Sequence, residues 1–277
     1  LTSYYNMTTQ AIFEQIQLKK SFLCLGLDPD MDKMPSHLVA SSQEPLFDFC
    51  KTIVDHVHHL CVAVKINTAF FEAYGVEGFA TLKKLSGYIK SHYPELFTIA
   101  DAKRGDIGNT SLRYAKAFFE AIPFDAITIA PYMGKDSVEP FLTYQDKHAI
   151  LLALTSNEGA ADFQLKENGS ALLYEDVLKQ SQQWKNASQL MYVVGATKAT
   201  HLSAIRKLVP DSFLLVPGIG AQGGSLEDVY THGANDKVGL LVNSSRGILY
   251  AGGGEDFAES ALEAATLLQQ QMETLLS

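Results

Sequence analysis

Eight times along this chain an apolar run rich in Val, Ile, Leu or Phe ends in polar residues and gives way to an amphipathic stretch. The runs fall at 21–28, 61–67, 96–103, 126–132, 148–156, 191–197, 213–220 and 238–246. Nearly continuous apolarity over so few residues is what a strand needs when both its faces are covered. The stretches at 46–59, 76–92, 109–121 and 172–184, with a last one at 255–275, carry apolar residues at helical spacing. Such alternation predicts parallel strands joined by right-handed crossovers. Eight units within 277 residues favour a closed (β/α)8 barrel, the TIM-barrel architecture of the α/β class, over an open doubly wound sheet. The expected organisation is one domain: an N-terminal extension or helix at 1–20, a barrel core at 21–250 and a C-terminal helix at 251–277.

Polar residues close the runs: Asp28, Lys65 with Asn67, Asp101 with Lys103, Thr155 with Ser156, and Ser245 with Arg246. In a barrel of this type the C-terminal strand ends share one face, so these residues are expected to meet there. The densest stretch is Asp101-Ala102-Lys103-Arg104-Gly105-Asp106. Strand alternation predicts Asp101 and Lys103 on the same side, Gly105 allows a tight turn, and Asp106 precedes a helix. Two readings stay open: a structural ion pair with Asp106 at a helix cap, or an ammonium poised between carboxylates for chemistry. A lysine late in a buried strand needs a partner, and Asp101 and Asp28 are the natural ones for Lys65. Asp28, followed by Pro29, also fits a plain turn.

Two further segments suit an anion. Pro217-Gly218-Ile219-Gly220-Ala221-Gln222-Gly223-Gly224 follows the seventh run, and Asn243-Ser244-Ser245-Arg246-Gly247 ends the eighth. Glycines let backbone N–H groups approach a phosphate, Arg246 offers a bidentate fork, and the loops after strands seven and eight are the recurrent phosphate site of this barrel. A glycine-rich turn beside a surface arginine is the plainer alternative. The glycines at 218, 220 and 223 also satisfy a dinucleotide-binding pattern, but that pattern belongs in a first βαβ unit before a solid helix, not after a seventh strand.

Composition removes other classes. A net charge of −9 argues against nucleic acid as a partner, although a local basic pocket for a small phosphorylated substrate is compatible with it. Three cysteines, Cys24, Cys50 and Cys61, are too few and odd in number for a disulfide framework, which suits a reducing cytoplasm and inert buried thiols. No run reaches membrane-spanning length, no secretory leader pattern is present, and Met7 offers an alternative start behind residues 1–6. The histidines and cysteines show no zinc spacing, and no G-x-S-x-G elbow occurs. His56, His58 and His59 are expected on an exposed helix face, and Trp184 and the tyrosines as packing residues.

The segment 101–110, Asp101-Ala102-Lys103-Arg104-Gly105-Asp106-Ile107-Gly108-Asn109-Thr110, resembles the signature of the orotidine 5′-phosphate decarboxylases, most of all their longer bacterial subgroup (type 2). Leu25-Gly26-Leu27-Asp28-Pro29, Lys65-Ile66-Asn67, Pro131-Tyr132-Met133-Gly134, Thr155-Ser156-Asn157 and both glycine-containing segments agree in the same order, over roughly 22–250. Glu158 departs from the proline of many subgroup members. The resemblance implies cofactor-free, metal-free loss of CO2 from orotidine 5′-phosphate, giving uridine 5′-phosphate at the last step of pyrimidine nucleotide synthesis. Lys103 would protonate C6, Asp101 would face the departing carboxylate, Lys65 would hold Asp101, and Asp28 would take a ribose hydroxyl. Asn67, Pro217 and Gly220 would line the substrate, Ser156 would touch the pyrimidine, Gln222 would bridge base and phosphate, and Arg246 with the Ser245 backbone would hold the phosphate. Asp106, Ile107 and Thr110 would reach the partner's site in a homodimer. A Mg-dependent sugar-phosphate decarboxylase or aldolase on the same barrel is the rival reading. A silent phosphate-binding barrel is the rival from another class, and the set Lys65, Asp101, Lys103 and Asp106 argues against it.

Overall fold

The computed structural model describes residues 7–219 and 224–277 and, at 198 and 199, the backbone alone. The strands are β1 (Leu23–Leu27), β2 (Ala63–Asn67), β3 (Phe97–Arg104), β4 (Ala126–Ile129), β5 (His148–Leu154), β6 (Glu167–Asn168), β7 (Ala171–Leu172), β8 (Leu190–Val194), β9 (Leu214–Pro217) and β10 (Leu240–Ser244). Eight of them close a barrel in the order β1, β10, β9, β8, β5, β4, β3, β2, and each of these eight lies within one of the predicted apolar runs, to a residue or so at the ends. The registered barrel pairs are parallel, as the crossover helices require. The remaining two, β6 and β7, form an antiparallel hairpin that the run pattern misses. Its signal was Asn168-Gly169-Ser170: Gly169 takes φ +66, the left-handed conformation that a two-residue hairpin turn demands of its first member.

Contacts cluster into two compact units. The first takes the chain up to Ala102 with Phe118–Asp125 and Ser244–Ser277. It opens with the helix Thr9–Lys19, whose N-cap Thr8 hydroxyl accepts from the Ala11 N–H. At the other end of that helix, Lys19 Nζ donates to the carbonyls of His58 and Cys61 at 2.9 Å each, satisfying acceptors beyond the end of the helix Pro45–Val57. The C-terminal helix Phe257–Leu276 packs against that helix and β1, with Phe257 stacked on Phe49 at 5.4 Å. Asp125, buried, accepts from the Thr98 N–H, the Thr98 hydroxyl and Lys90. Of the three histidines expected on an exposed face only His59 is exposed, because His58 stacks on Tyr93 with centroids 4.1 Å apart.

The second unit comprises Lys103–Ala117 and Ala126–Asn243. Its barrel strands are apolar and almost wholly buried. Arg206, on the helix Ala199–Leu208, donates from Nε to the Gly233 carbonyl, from Nη1 to those of Val209, Pro210 and Ser212, and from Nη2 to that of Gly239, at 2.6–3.3 Å. Five carbonyls from three chain segments thus share one planar fork. Among the described residues no helix is long and apolar enough to cross a membrane. Arg206→Met is expected to lower the unfolding free energy in urea by about 2–4 kcal/mol, since several carbonyls lose a charged donor at once. Arg206→Lys should recover only part of the loss, because an ammonium lacks the fork.

Candidate active site

Lys65 lies in the middle of β2, with Gly26 of β1 on one side in register and Ile99 of β3 on the other. Asn67, two residues on, pairs with Asp101. Lys65 is 4% exposed and Asp101 8%. The Lys65 ammonium donates to Asp101 Oδ2 at 2.8 Å and lies 3.6 Å from Asp28 Oδ1. Burial by itself would lower the lysine pKa, but the charges of Asp101 and Asp28, with the hydrogen bond donated to Asp101, outweigh it and hold the group above its ordinary value. Lys65 is therefore a fixed cation at any working pH. Asp28 Oδ1 is shielded from solvent and takes no hydrogen bond, so it is an acceptor in want of a donor. Asn67 is engaged locally, where its Oδ1 accepts from the Ala69 N–H at 3.3 Å. The expectation of inert thiols fits the buried Cys24, Cys50 and Cys61, each pushed far up by burial.

β3 runs three residues beyond Asp101, through Lys103 to Arg104. Lys103 has φ +45, left-handed backbone that a side chain with a Cβ adopts at a cost. Its N–H is held at 2.9 Å by the Thr128 hydroxyl of β4. Asp101 is buried, whereas Lys103 is exposed. Gly105 does not need its glycine freedom: the positive φ values here belong to Lys103 and to Gly108, at φ +50, and a Cβ on Gly105 would meet neighbours no nearer than 3.4 Å. Asp106 does not cap the helix Gly108–Lys116. Its Oδ1 accepts from the Ile107 N–H at 2.8 Å, and Ile107, 55% exposed, stands at the N-cap position. Thr110 is also exposed.

Ser156 follows β5 by two residues. Two residues that sequence reasoning missed shape its surroundings. Gln164 accepts from the Thr155 N–H at 2.7 Å and donates to the Thr155 hydroxyl at 2.9 Å. Gly195, just after β8, lies so near that a Cβ there would come within 2.7 Å of the Ser156 backbone. A glycine ending an apolar run was the available signal for the second; a lone glutamine gives none. Pro217 ends β9, and Gly218 adopts φ +101. Gly220 and Gln222 lie outside the described residues. Ser245 follows β10, and the exposed Arg246 is the first residue of the helix Arg246–Leu249. Among the described residues no three His, Cys, Asp or Glu side chains group to hold a metal ion.

Residues 21–261 match the family model described as orotidine 5′-phosphate decarboxylase / HUMPS family. The chain belongs to that family. A Flavobacterium johnsoniae protein named orotidine 5′-phosphate decarboxylase is 62% identical over 270 residues, covering 98% of each chain. One from Bacteroides fragilis with the same name is 56% identical, covering 96% of this chain and 97% of its own. Among solved structures, the OMP decarboxylase of Leishmania donovani superposes with a TM-score of 0.80 at 34% identity, covering 95% of this chain and all of that one. The chain spans 56% of the Leishmania donovani UMP synthase chain, which it matches at 36% identity and a TM-score of 0.80 over 94% of its own length.

The strained backbone at Lys103 is open to a direct check. Lys103→Gly and Lys103→Ala remove the same amine, but only glycine is at ease at φ +45. Urea unfolding should find the glycine variant more stable by about 0.5–1 kcal/mol. An alanine variant equal to it or better would show that the left-handed backbone carries no strain.

Proposed function

We propose that the chain decarboxylates orotidine 5′-phosphate to uridine 5′-phosphate and CO2, the final step of pyrimidine nucleotide synthesis. The observation that carries this reading is the Asp28–Lys65–Asp101 cluster, whose Asp101 stands on β3 ahead of the strained Lys103. Such strain survives where the surrounding structure over-determines it, as at a working site.

Breaking the bond between C6 and the carboxylate leaves its electron pair on C6 of the pyrimidine, a carbanion without a delocalising sink. A fixed ammonium beside C6 stabilises that charge as it develops and then delivers a proton to the same carbon. Lys103 takes this role and recovers its proton from water after product leaves. Asp101, locked by Lys65, faces the carboxylate that departs. The Asp28 carboxylate, part-exposed beside Lys65, accepts a ribose hydroxyl. Ser156 meets the pyrimidine from the end of β5, with Asn67, Pro217 and Gly220 along the substrate, and Gln222 between base and phosphate. Arg246 and the Ser245 backbone hold the phosphate, remote from the reacting carbon, where binding energy is realised in the transition state through closure around the substrate.

A homodimer is part of the reading. Asp106, Ile107 and Thr110 sit at the start of one helix, and the exposed Ile107 and Thr110 are available to a second copy. Three free, buried thiols suit a reducing cytoplasm.

The test is the loss of the substrate's ultraviolet band on mixing with purified protein and EDTA. Wild type should turn over, and Lys103→Ala should lose on the order of 10²–10⁴-fold or more in rate. No turnover by well-folded wild type, together with Mg-dependent turnover of a sugar phosphate, would replace this reading. In the same assay Arg246→Ala should lower kcat/KM by roughly 10- to 100-fold, with part of the loss in kcat. An unchanged kcat/KM would remove Arg246 from the phosphate site.

A further inference from the structure

Tyr250 ends the short helix Arg246–Leu249, and its side chain reaches the turn that carries Asp28. The hydroxyl accepts a hydrogen bond from the Asp30 N–H at 2.7 Å and donates one to the Asp28 carbonyl at 3.1 Å. These groups flank Pro29, which has no N–H of its own with which to pin the turn. One phenol therefore satisfies a donor and an acceptor of a segment that lies outside any strand or helix. The ring is held in turn. It stacks on the buried Phe49 with centroids 6.0 Å apart and planes 18° from parallel, and Phe49 stacks on Phe257 of the C-terminal helix. Burial pushes the phenol up to about 12, so at neutral pH it keeps the proton that it donates.

The Asp28 carboxylate has little else to aim it. Its contact among the described residues is the 3.6 Å approach to Lys65, and Oδ1 accepts no hydrogen bond. Its direction follows from the backbone at 28–30, which the Tyr250 hydroxyl clamps.

We propose that Tyr250 is a positioning residue for nucleotide recognition: by clamping the Asp28–Asp30 backbone it sets the Asp28 carboxylate to accept a ribose hydroxyl. Because Tyr250 follows directly on the helix that begins with Arg246, one covalent segment then carries a phosphate-binding side chain and the clamp for the sugar-binding one. The role rests on the decarboxylase reading of this site.

Calorimetric titration tests it with two ligands, uridine 5′-phosphate and 2′,3′-dideoxyuridine 5′-phosphate, which lacks the ribose hydroxyls. Four proteins are compared: wild type, Tyr250→Phe, Asp28→Asn and the double variant. Wild type should prefer the ribonucleotide on the order of ten- to a hundredfold, the range for a hydrogen bond to a charged acceptor. Tyr250→Phe should lose most of that preference while its affinity for the dideoxynucleotide stays within about twofold, and should remove nothing further in the Asp28→Asn background. The ratio of affinities does not depend on the fraction of protein folded, which the binding stoichiometry reports separately. Equal weakening towards both ligands, or a full preference retained in Tyr250→Phe, overturns the positioning role. If wild type decarboxylates and discriminates but Tyr250→Phe behaves like it, that role alone falls. If wild type binds neither nucleotide and turns nothing over, the reading of the site falls with it.

Discussion

The Lys65 ammonium sits out of water, 2.8 Å from Asp101 and 3.6 Å from Asp28, on neighbouring strand ends. Taking ions out of water costs several kcal/mol each, and attraction between them offsets this only when the geometry is held closely. Much of the surrounding structure supplies that hold. The parallel register of β1, β2 and β3 puts side-chain-free Gly26 beside Lys65 and sets Asn67 against Asp101. The Asp125 clamp joins Thr98 of β3 to Lys90 on the helix Gly75–His92. A cluster of this kind is weak support for stability, since apolar residues of the same volume would fill the space without the desolvation cost.

Two costs accumulate at the same strand end: desolvated charge on Asp101 and Lys65, and left-handed backbone at Lys103. Both are tolerated because the scaffold around them is regular. The strands are almost entirely apolar inside, the helix ends are capped by distant side chains such as Lys19, and Arg206 gathers stray carbonyls into one fork.

The strands were legible because a strand buried on both faces must be apolar throughout, and the composition of eight runs says so locally. Lys65, Asp101 and Asp28 were legible as partners because a buried lysine needs a counter-charge and the parallel order offers few. The β6–β7 hairpin was passed over because two-residue strands carry no period to detect. Gln164, Arg206 and Tyr250 escaped for a shared reason: each acts on backbone groups that the fold brings to it, and the side chain's identity alone does not say which. Tyrosines were expected to be packing residues, and Tyr250 does pack through its ring; the hydroxyl's two backbone bonds are a tertiary fact.

Taken alone, the order of residues determined the class of fold, the sequence of strands and helices, and the identity of the ionisable groups at the strand ends, because periodicity and the cost of burying charge are local or nearly local rules. Tertiary structure decided the rest. It put left-handed backbone at Lys103 instead of Gly105, held the Lys103 N–H on the Thr128 hydroxyl of the next strand, and gave the Asp28 backbone its anchor through Tyr250. The reason is physical: these partners are brought together across long stretches of chain, and no short window of sequence contains both members of such a pair.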